Sequence, residues 1–144
     1  MKSVIDWLLS RKQITNTSVA GSVSLLILRV CIGLTMAFGH GWGKLTTFSE
    51  RASSFSDPLG IGSQLSLSLT VSAEFFCSLA LILGLLTRGV VIPLAFTMLM
   101  AALVIHSDDP FGKKELALMY LASYTAILIA GPGRYSMDGL LGKK

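Results

Sequence analysis

The sequence predicts an all-α integral membrane protein, folded as a four-helix bundle. Of its 144 residues, 52% are hydrophobic and only 14% are charged, and the mean hydropathy is +0.69. An average soluble domain carries about 25% charged residues. The apolar residues are also grouped into long runs, and a helix needs ~20 such residues to cross a hydrocarbon core of ~30 Å. A chain of this length has room for about four such spans.

The four apolar segments are expected to be helices. The second begins with a Ser/Leu alternation, from Ser63 to Leu69, that has the period of a strand. We reject a strand because the apolar run continues to Leu86, and because a membrane barrel needs about eight or more strands. The expected spans are residues 22–40, 64–86, 89–106 and 115–131, within one domain of residues 22–141.

The connections between spans are short except for the first. Residues 41–63 are polar and rich in Gly and Ser, and such a stretch is long for a helix connection. Its large apolar side chains are expected to lie along the interface or to cap the bundle. A tight turn at Thr87 and Arg88 predicts that the second and third helices pack antiparallel.

The basic residues do not form one patch, which argues against a nucleic-acid partner. The net charge is +4 and the isoelectric point is near 9.3. The lysines and arginines lie mainly between and beyond the apolar runs, where they set topology and contact anionic lipid. The partner that the sequence predicts is therefore the lipid bilayer, and not nucleic acid.

The distribution of these basic residues predicts the orientation in the membrane. With the N-terminus inside, seven lie on the inner side and four on the outer side, and the positive-inside rule favours that arrangement. Both termini are thus expected in the cytoplasm, with residues 1–21 as a cytoplasmic, interfacial segment. The inner residues are Lys2, Arg11, Lys12, Arg88, Arg134, Lys143 and Lys144, and the outer ones are Lys44, Arg51, Lys113 and Lys114.

Two charged residues inside the apolar segments are the strongest indication of a site. Arg29 lies in the first segment and Glu74 in the second. A carboxylate at membrane depth is costly and normally faces a protein interior or a polar cavity. Counting from the helix ends places Glu74 near the midplane, Arg29 about a turn away and Tyr124 at similar depth. We therefore predict an Arg29–Glu74 ion pair flanked by Tyr120 and Tyr124.

Helical spacing groups the other polar residues on the same faces. In the second helix, Ser66, Thr70 and Ser78 fall in register with Glu74 at intervals of four residues. This polar stripe is expected to look inward. The first helix is expected to present Arg29, Gly33, Ala37 or Met36, His40 and Lys44 on one face. Its small residues Gly33 and Ala37 would let a neighbouring helix approach closely.

The role of the predicted ion pair stays open between two interpretations. A buried pair can simply hold two helices in register, since each charge makes the other tolerable. It can also be a ligand- or proton-handling site, because intramembrane ionisable groups are often functional. Polar residues at the outer helix ends, which include the two histidines, lack a spaced ligand motif, and no metal site is predicted. They are His40, Lys44, His106 and Glu115.

Several motifs, taken in order, resemble the DoxX family of small bacterial membrane proteins. After Arg29 come GHGWGKL at 39–45, the intramembrane Glu74 and LGLLTR at 83–88. The last segment runs from Glu115 through Tyr120 to GPGRYSMD at 131–138. The resemblance extends from about residue 25 to residue 140. Each motif is loose by itself, but their order and spacing make the resemblance fairly specific.

The resemblance implies a compact four-helix bundle in the bacterial cytoplasmic membrane. Some relatives belong to a thiosulfate:quinone oxidoreductase and others are associated with quinone or oxidative-stress resistance. The resemblance implies no particular catalytic residues. The sequence has no motif for a flavin, haem or iron–sulfur cluster, so no cofactor is evident, and any redox role would need an exchangeable quinone or a partner subunit.

Two functional hypotheses follow from the sequence. In the first, the protein binds a quinone or similar lipophile in a redox or oxidative-stress role, within a cavity between the first, second and fourth helices. In the second, it is a non-catalytic accessory or scaffold subunit that meets a membrane partner, or a second copy, through an exposed face of small residues.

Overall fold

The computed structural model describes residues 18–141, and all regular secondary structure in this range is helical. The predicted all-α membrane helical bundle is thus confirmed. Of the predicted interfacial segment, residues 1–17 lie outside the described range, and Val19 already belongs to the first helix. The helices are α1 (Val19–Thr46), α2 (Phe48–Arg51), α3 (Ser63–Leu83), α4 (Thr87–Ile105), α5 (Phe111–Ala130) and α6 (Met137–Leu141).

Three of the helices, α1, α3 and α4, are long and apolar enough to cross a membrane. Helix α5 has 20 residues, but Lys113, Lys114 and Glu115 occupy its first turns and shorten its uncharged stretch. The count of four spans therefore remains a prediction. The Ser/Leu alternation does lie in a helix, since α3 begins at Ser63.

Several helix ends differ from those predicted: Thr87 and Arg88, expected as a turn, begin α4, and α5 begins at Phe111 rather than at residue 115. For the ends of α1 and α3 the physical reason can be given. Helix α1 continues to Thr46, through a stretch of glycines that had indicated a loop, because the Trp42 amide bonds to the Ala37 carbonyl in a π turn and the helix goes on. Helix α3 ends at Leu83 rather than at residue 86. Gly84 ends it by taking the left-handed conformation, with φ of 68°, which glycine adopts without steric cost.

Each of the three long apolar helices contains a π-helical segment. A π turn accommodates one extra residue and changes the direction of the side chains around it. The three segments are Ala37–Gly41 in α1, Ser72–Cys77 in α3 and Ala101–Ile105 in α4.

Glycines bring α1 and α3 into close contact. A Cβ added to Gly33 would lie 2.5 Å from Ile82 Cγ1, and one added to Gly41 would lie 2.8 Å from the backbone of Glu74. The close approach predicted for Gly33 is confirmed, and Ala37 is buried. Gly41 extends the close approach to where the π segments of the two helices pack together.

The apolar core lies between α4 and α5, which share an extensive interface, and is closed by α1 and α3. The short turn between α3 and α4 makes them antiparallel neighbours, as predicted. The terminal end of the bundle holds the start of α1 together with α6, and the opposite loop end holds the α1–α3 connection. Core side chains include Met36, Leu81, Val91, Leu94, Met98, Tyr124 and Ile127.

Candidate functional site

The buried carboxylate of Glu74 is paired with Lys44. Lys44 Nζ donates to Glu74 Oε2 at 2.6 Å, and the two side chains are 21% and 5% exposed. Glu74 lies inside the π segment of α3, and Lys44 follows the π segment of α1 in its last turn. Gly41 lies one turn before Lys44 and allows the two helix backbones to meet at this point.

The predicted Arg29–Glu74 pairing is wrong. Arg29 is fully buried, and its Nη1 donates to the carbonyl of Leu81 at 3.2 Å, while Nη2 donates to that of Tyr135 at 2.6 Å. The last carbonyls of a helix have no partner within the helix, and α3 ends just after Leu81. Seven residues separate Leu81 from Glu74, about 10 Å along the axis, so Arg29 belongs to the terminal end.

The segment after α5 is fastened to this end of the bundle by side-chain caps. Asp138 accepts from the amides of Leu86 at 2.9 Å and Thr87 at 2.8 Å, and so caps the start of α4. Ser136 Oγ accepts from the amide of Gly139 at 2.9 Å and caps α6. Ser136 thus caps the terminal helix itself, while Asp138 joins that helix to α4. Arg29 therefore has a structural position here.

A cavity of about 460 Å³ lies between α3 and α4 toward the loop end. Its wall is mostly apolar, and the Lys44–Glu74 pair forms part of it. Residues of the α1–α3 connection, Phe55 among them, cover it, so the expectation that this connection caps the bundle is confirmed there. Apolar lining residues include Phe55, Leu59, Leu69, Phe96, Met100 and Ile105.

Asp57 holds this covering segment in place. Its carboxylate accepts from Ser66 Oγ at 2.7 Å, from the Gly62 amide at 2.7 Å and from the Ile61 amide at 3.1 Å. The Ser66 hydroxyl, followed by the Gly62 amide, lowers the pKa of the Asp57 carboxyl below its ordinary value. The carboxylate thus stays ionised at neutral pH and ties the cavity roof to the first turn of α3.

The two tyrosines lie in the core and not in the lining of this cavity. Tyr120 and Tyr124 are stacked, with ring centroids 5.9 Å apart, and His40 meets Tyr120 edge-on at 5.9 Å. Ser78 and Glu74 lie close enough to the Tyr124 hydroxyl to interact with it. The oxygens of Ser78 and Tyr124 are buried without a well-formed hydrogen bond. The polar stripe of α3 thus does face inward, toward the tyrosines as well as the cavity.

His106 lies at the mouth of the cavity, at the end of α4. Its Nδ1 is 2.7 Å from Asp109 Oδ2, and Asp109 Oδ1 accepts from Lys113 Nζ at 3.0 Å. The hydrogen bond from His106 and then that from Lys113 lower the pKa of the Asp109 carboxyl. Glu115, also named from the sequence, is exposed on α5.

Of the polar residues predicted at the outer ends, Lys44 and His106 are brought to the cavity with Glu74, whereas His40 packs on the tyrosines. Sequence analysis missed the pairing of Lys44 because residues 41–63 were assigned to a loop. A signal was present, since Lys44 falls on the same helical face as Arg29 and Gly33. The role of Asp57 had no comparable signal in the sequence.

Comparisons with known proteins agree with this architecture. The chain is 30% identical over 126 residues to the inner membrane protein YqjF of Escherichia coli K12, which covers 85% of this chain and 95% of that protein. It is 27% identical over 133 residues to an uncharacterized protein of Haemophilus influenzae, with 87% of each chain covered. No solved structure matches the chain significantly.

The DoxX family profile matches residues 24–107, more than half of the chain. Together with the three apolar helices and the likeness to an inner membrane protein, this match describes a multi-pass inner membrane protein. The chain belongs to the DoxX family of integral membrane proteins.

Proposed function

We propose that the protein binds a small lipophile with a carbonyl or hydroxyl end, of the quinone type, in the cavity between α3 and α4. The observation that carries this proposal is a mostly apolar cavity with a buried ion pair in its wall. Ligand sites are typically apolar clefts of about 300–1,000 Å³ with a few well-placed polar groups. The volume of about 460 Å³ falls in that range.

The residues present suit such a ligand chemically. The Lys44 ammonium has three donors and Glu74 Oε2 uses one of them, so a ligand carbonyl can accept from another. Glu74 is an acceptor for a hydroxyl and a group that can exchange a proton with it. The ring and tail of the ligand would lie against side chains such as Phe96 and Met100.

This site differs from the cavity that the sequence suggested between the first, second and fourth helices. Lys44 replaces Arg29 as the cationic partner, and α4 replaces α5 as the second wall. Leu69 and Phe96, which line the cavity from α3 and α4, are about half exposed, so the cavity is open between these helices. Such side chains face lipid in a membrane, which favours entry of a ligand from the bilayer.

Filling the cavity tests the proposal. The purified protein in lipid nanodiscs would be titrated with a short-chain ubiquinone, and Thr97→Trp would place a large ring in the cavity wall. We expect this change to weaken binding at least tenfold. Leu103→Trp, on the lipid-exposed face of the same helix and 61% exposed, is the matched control and should bind like the wild type. No binding by the wild type, or equal binding by both variants, would refute the proposal.

The redox or oxidative-stress role remains a prediction from the family resemblance. If it holds, cells that lack the protein should be more sensitive to a membrane-permeant quinone, and Glu74→Gln should fail to restore resistance while still inserting in the membrane. The reason is that proton exchange needs a titratable group, whereas packing needs only a satisfied one. Full restoration by Glu74→Gln would mean that the carboxylate is structural.

One observation favours the accessory-subunit hypothesis as a second candidate. Gly39 and Gly43 lie four residues apart on α1, and a Cβ at either would meet no atom within 4 Å. Such a face suits close packing of a helix from another membrane protein or a second copy. Replacing both glycines by leucine should release a co-purifying partner if this face is an interface, and should change nothing if it faces lipid.

A further inference from the structure

A second polar group, His106, lines the cavity at its mouth. Like Glu74 and Lys44, it owes its position to a π segment. Glu74 lies inside the π segment of α3, Lys44 follows that of α1, and His106 comes directly after that of α4. The His106 amide itself bonds to the Ala101 carbonyl, which closes the π turn. All three side chains line the same cavity. Because π turns re-aim side chains and are frequent at functional sites, this arrangement indicates one three-residue site.

Asp109 fixes which nitrogen of His106 can meet a ligand. Nδ1 lies 2.7 Å from the Asp109 carboxylate, and an ionised carboxylate only accepts hydrogen bonds. Nδ1 therefore carries the proton and donates it, so Nε2 is the ring nitrogen available to a molecule in the cavity. The side chain of His106 is 36% exposed, which lets it contact both the cavity and the outside water.

We propose that His106 forms a hydrogen bond with the lipophile bound in the cavity, and that Asp109 is its positioning residue. This inference rests on the proposed function and deepens it. Neutral His106 offers the lone pair of Nε2, which accepts from a ligand hydroxyl. Protonated His106 offers an Nε2 hydrogen, which donates to a ligand carbonyl. The quinone and quinol forms of one ligand are thus recognised by opposite protonation states of the same residue.

The other charged groups near His106 allow its contribution to be isolated. Asp109 and Lys113 face it from the turn and from α5, and the Lys44–Glu74 pair lies in the cavity wall. The Lys44–Glu74 pair is present in the wild type and in every variant of His106 or Asp109. Any pH dependence that it causes is therefore common to all of them, and the difference between wild type and variant reports on His106.

The experiment measures the dissociation constants of a short-chain ubiquinone and of its quinol between about pH 5.5 and about pH 8, with full-length protein in nanodiscs. As the pH rises, we expect binding of the quinone to weaken and binding of the quinol to strengthen, each by about three- to tenfold, as for one hydrogen bond. His106→Gln should flatten both profiles. Asp109→Asn should reduce the difference between the two profiles, because an amide can donate as well as accept and no longer holds the proton on Nδ1.

Lys113→Gln is the matched control, since it removes a neighbouring charge and leaves the His106–Asp109 hydrogen bond in place. It should retain the opposite profiles of the two ligands. Thermal unfolding of each variant establishes that it is folded. If the wild type binds both ligands but His106→Gln keeps the wild-type profiles, this inference is wrong and the proposed function stands. If the wild type binds neither ligand, both are wrong.

Discussion

At the residue scale, the buried charges of Arg29 and Glu74 are bound by groups that the fold brings within reach. The sequence correctly indicates that Arg29 and Glu74 are buried, because neither could face lipid. It does not give their partners, since these depend on how far the helices are offset along their axes. The direction of helical side chains argues against an Arg29–Glu74 pair, because these side chains lean toward the N-terminus of their helix. In α1 that direction leads Arg29 toward the terminal end and away from Glu74.

Removing the Glu74 carboxylate should destabilise the protein, but less than breaking a fully buried ion pair would. Glu74→Ala leaves Lys44 without its partner, but the Lys44 side chain is 21% exposed and its ammonium can reach water. We expect a loss of about 1–3 kcal/mol, below the ~3–5 kcal/mol of fully buried pairs. Glu74→Gln retains an acceptor and should cost less. Unfolding of detergent-solubilised protein by a denaturing detergent measures both, and an equal or larger loss for Glu74→Gln would contradict the ion-pair account.

Asp57 should make stability depend on pH in the acidic range. Its pKa is lowered in the folded protein by the hydrogen bonds from Ser66 and Gly62. Its contribution is therefore fully present above its unfolded pKa of about 3.9 and is lost as the pH falls through the lower folded value. Between about pH 6 and about pH 3, the Asp57→Asn variant should lose less stability than the wild type, as measured by thermal unfolding. Asp108→Asn, in the exposed turn before α5, is the control and should lose as much as the wild type.

At the scale of the elements, helix existence follows from the sequence, whereas helix ends and local geometry follow from packing. The four apolar segments correspond to α1, α3, α4 and α5. The glycines at 39, 41 and 43 read as a loop because glycine is a poor helix former. In the fold they remain helical, since Gly41 allows α1 to pack against the backbone of α3. The π segments have no signature in the apolar periodicity and could not be predicted.

Replacing Gly41 should separate α1 from α3 at the site, whereas replacing Gly43 should not. A Cβ at Gly41 would lie 2.8 Å from the backbone atoms of Glu74 and Phe75, and backbone cannot rotate away. Gly41→Ala should cost about 1–3 kcal/mol, as for overpacking in a core. A Cβ at Gly43 would have no atom within 4 Å. Gly43→Ala should therefore be neutral, or stabilising by up to about 1 kcal/mol through helix propensity. Similar losses for both in detergent unfolding would contradict the close packing at Gly41.

At the scale of the whole molecule, the two ends of the bundle have different chemistry. The terminal end is closed by backbone-directed contacts of Arg29, Ser136 and Asp138, whereas the loop end contains the cavity with Lys44 and Glu74. Composition and apolar runs predict the class of fold, and family motifs agree with it. The place of the cavity could not be predicted, because it depends on how the covering segment, which Asp57 fastens to the first turn of α3, lies over α3 and α4.

The orientation of these two ends in the membrane is the remaining prediction at this scale. Basic residues are more numerous in the terminal and α3–α4 segments than in the connections at the loop end, so the positive-inside rule puts the terminal end in the cytoplasm. The cavity would then open toward the periplasmic side of the inner membrane. Single cysteines would be introduced as Arg51→Cys in the α1–α3 connection and as Lys144→Cys after the last helix, with Cys31 and Cys77 replaced by serine.

A membrane-impermeant maleimide added to intact spheroplasts should label Arg51→Cys, and should label Lys144→Cys only after the membrane is disrupted. The cysteine-free protein controls for background labelling. Labelling of both positions in intact spheroplasts would place them on one side of the membrane and would contradict the odd number of spans that this topology requires between them. Labelling of Lys144→Cys alone would show that the bundle has the opposite orientation. The site defined by Lys44, Glu74 and His106 would then face the cytoplasm.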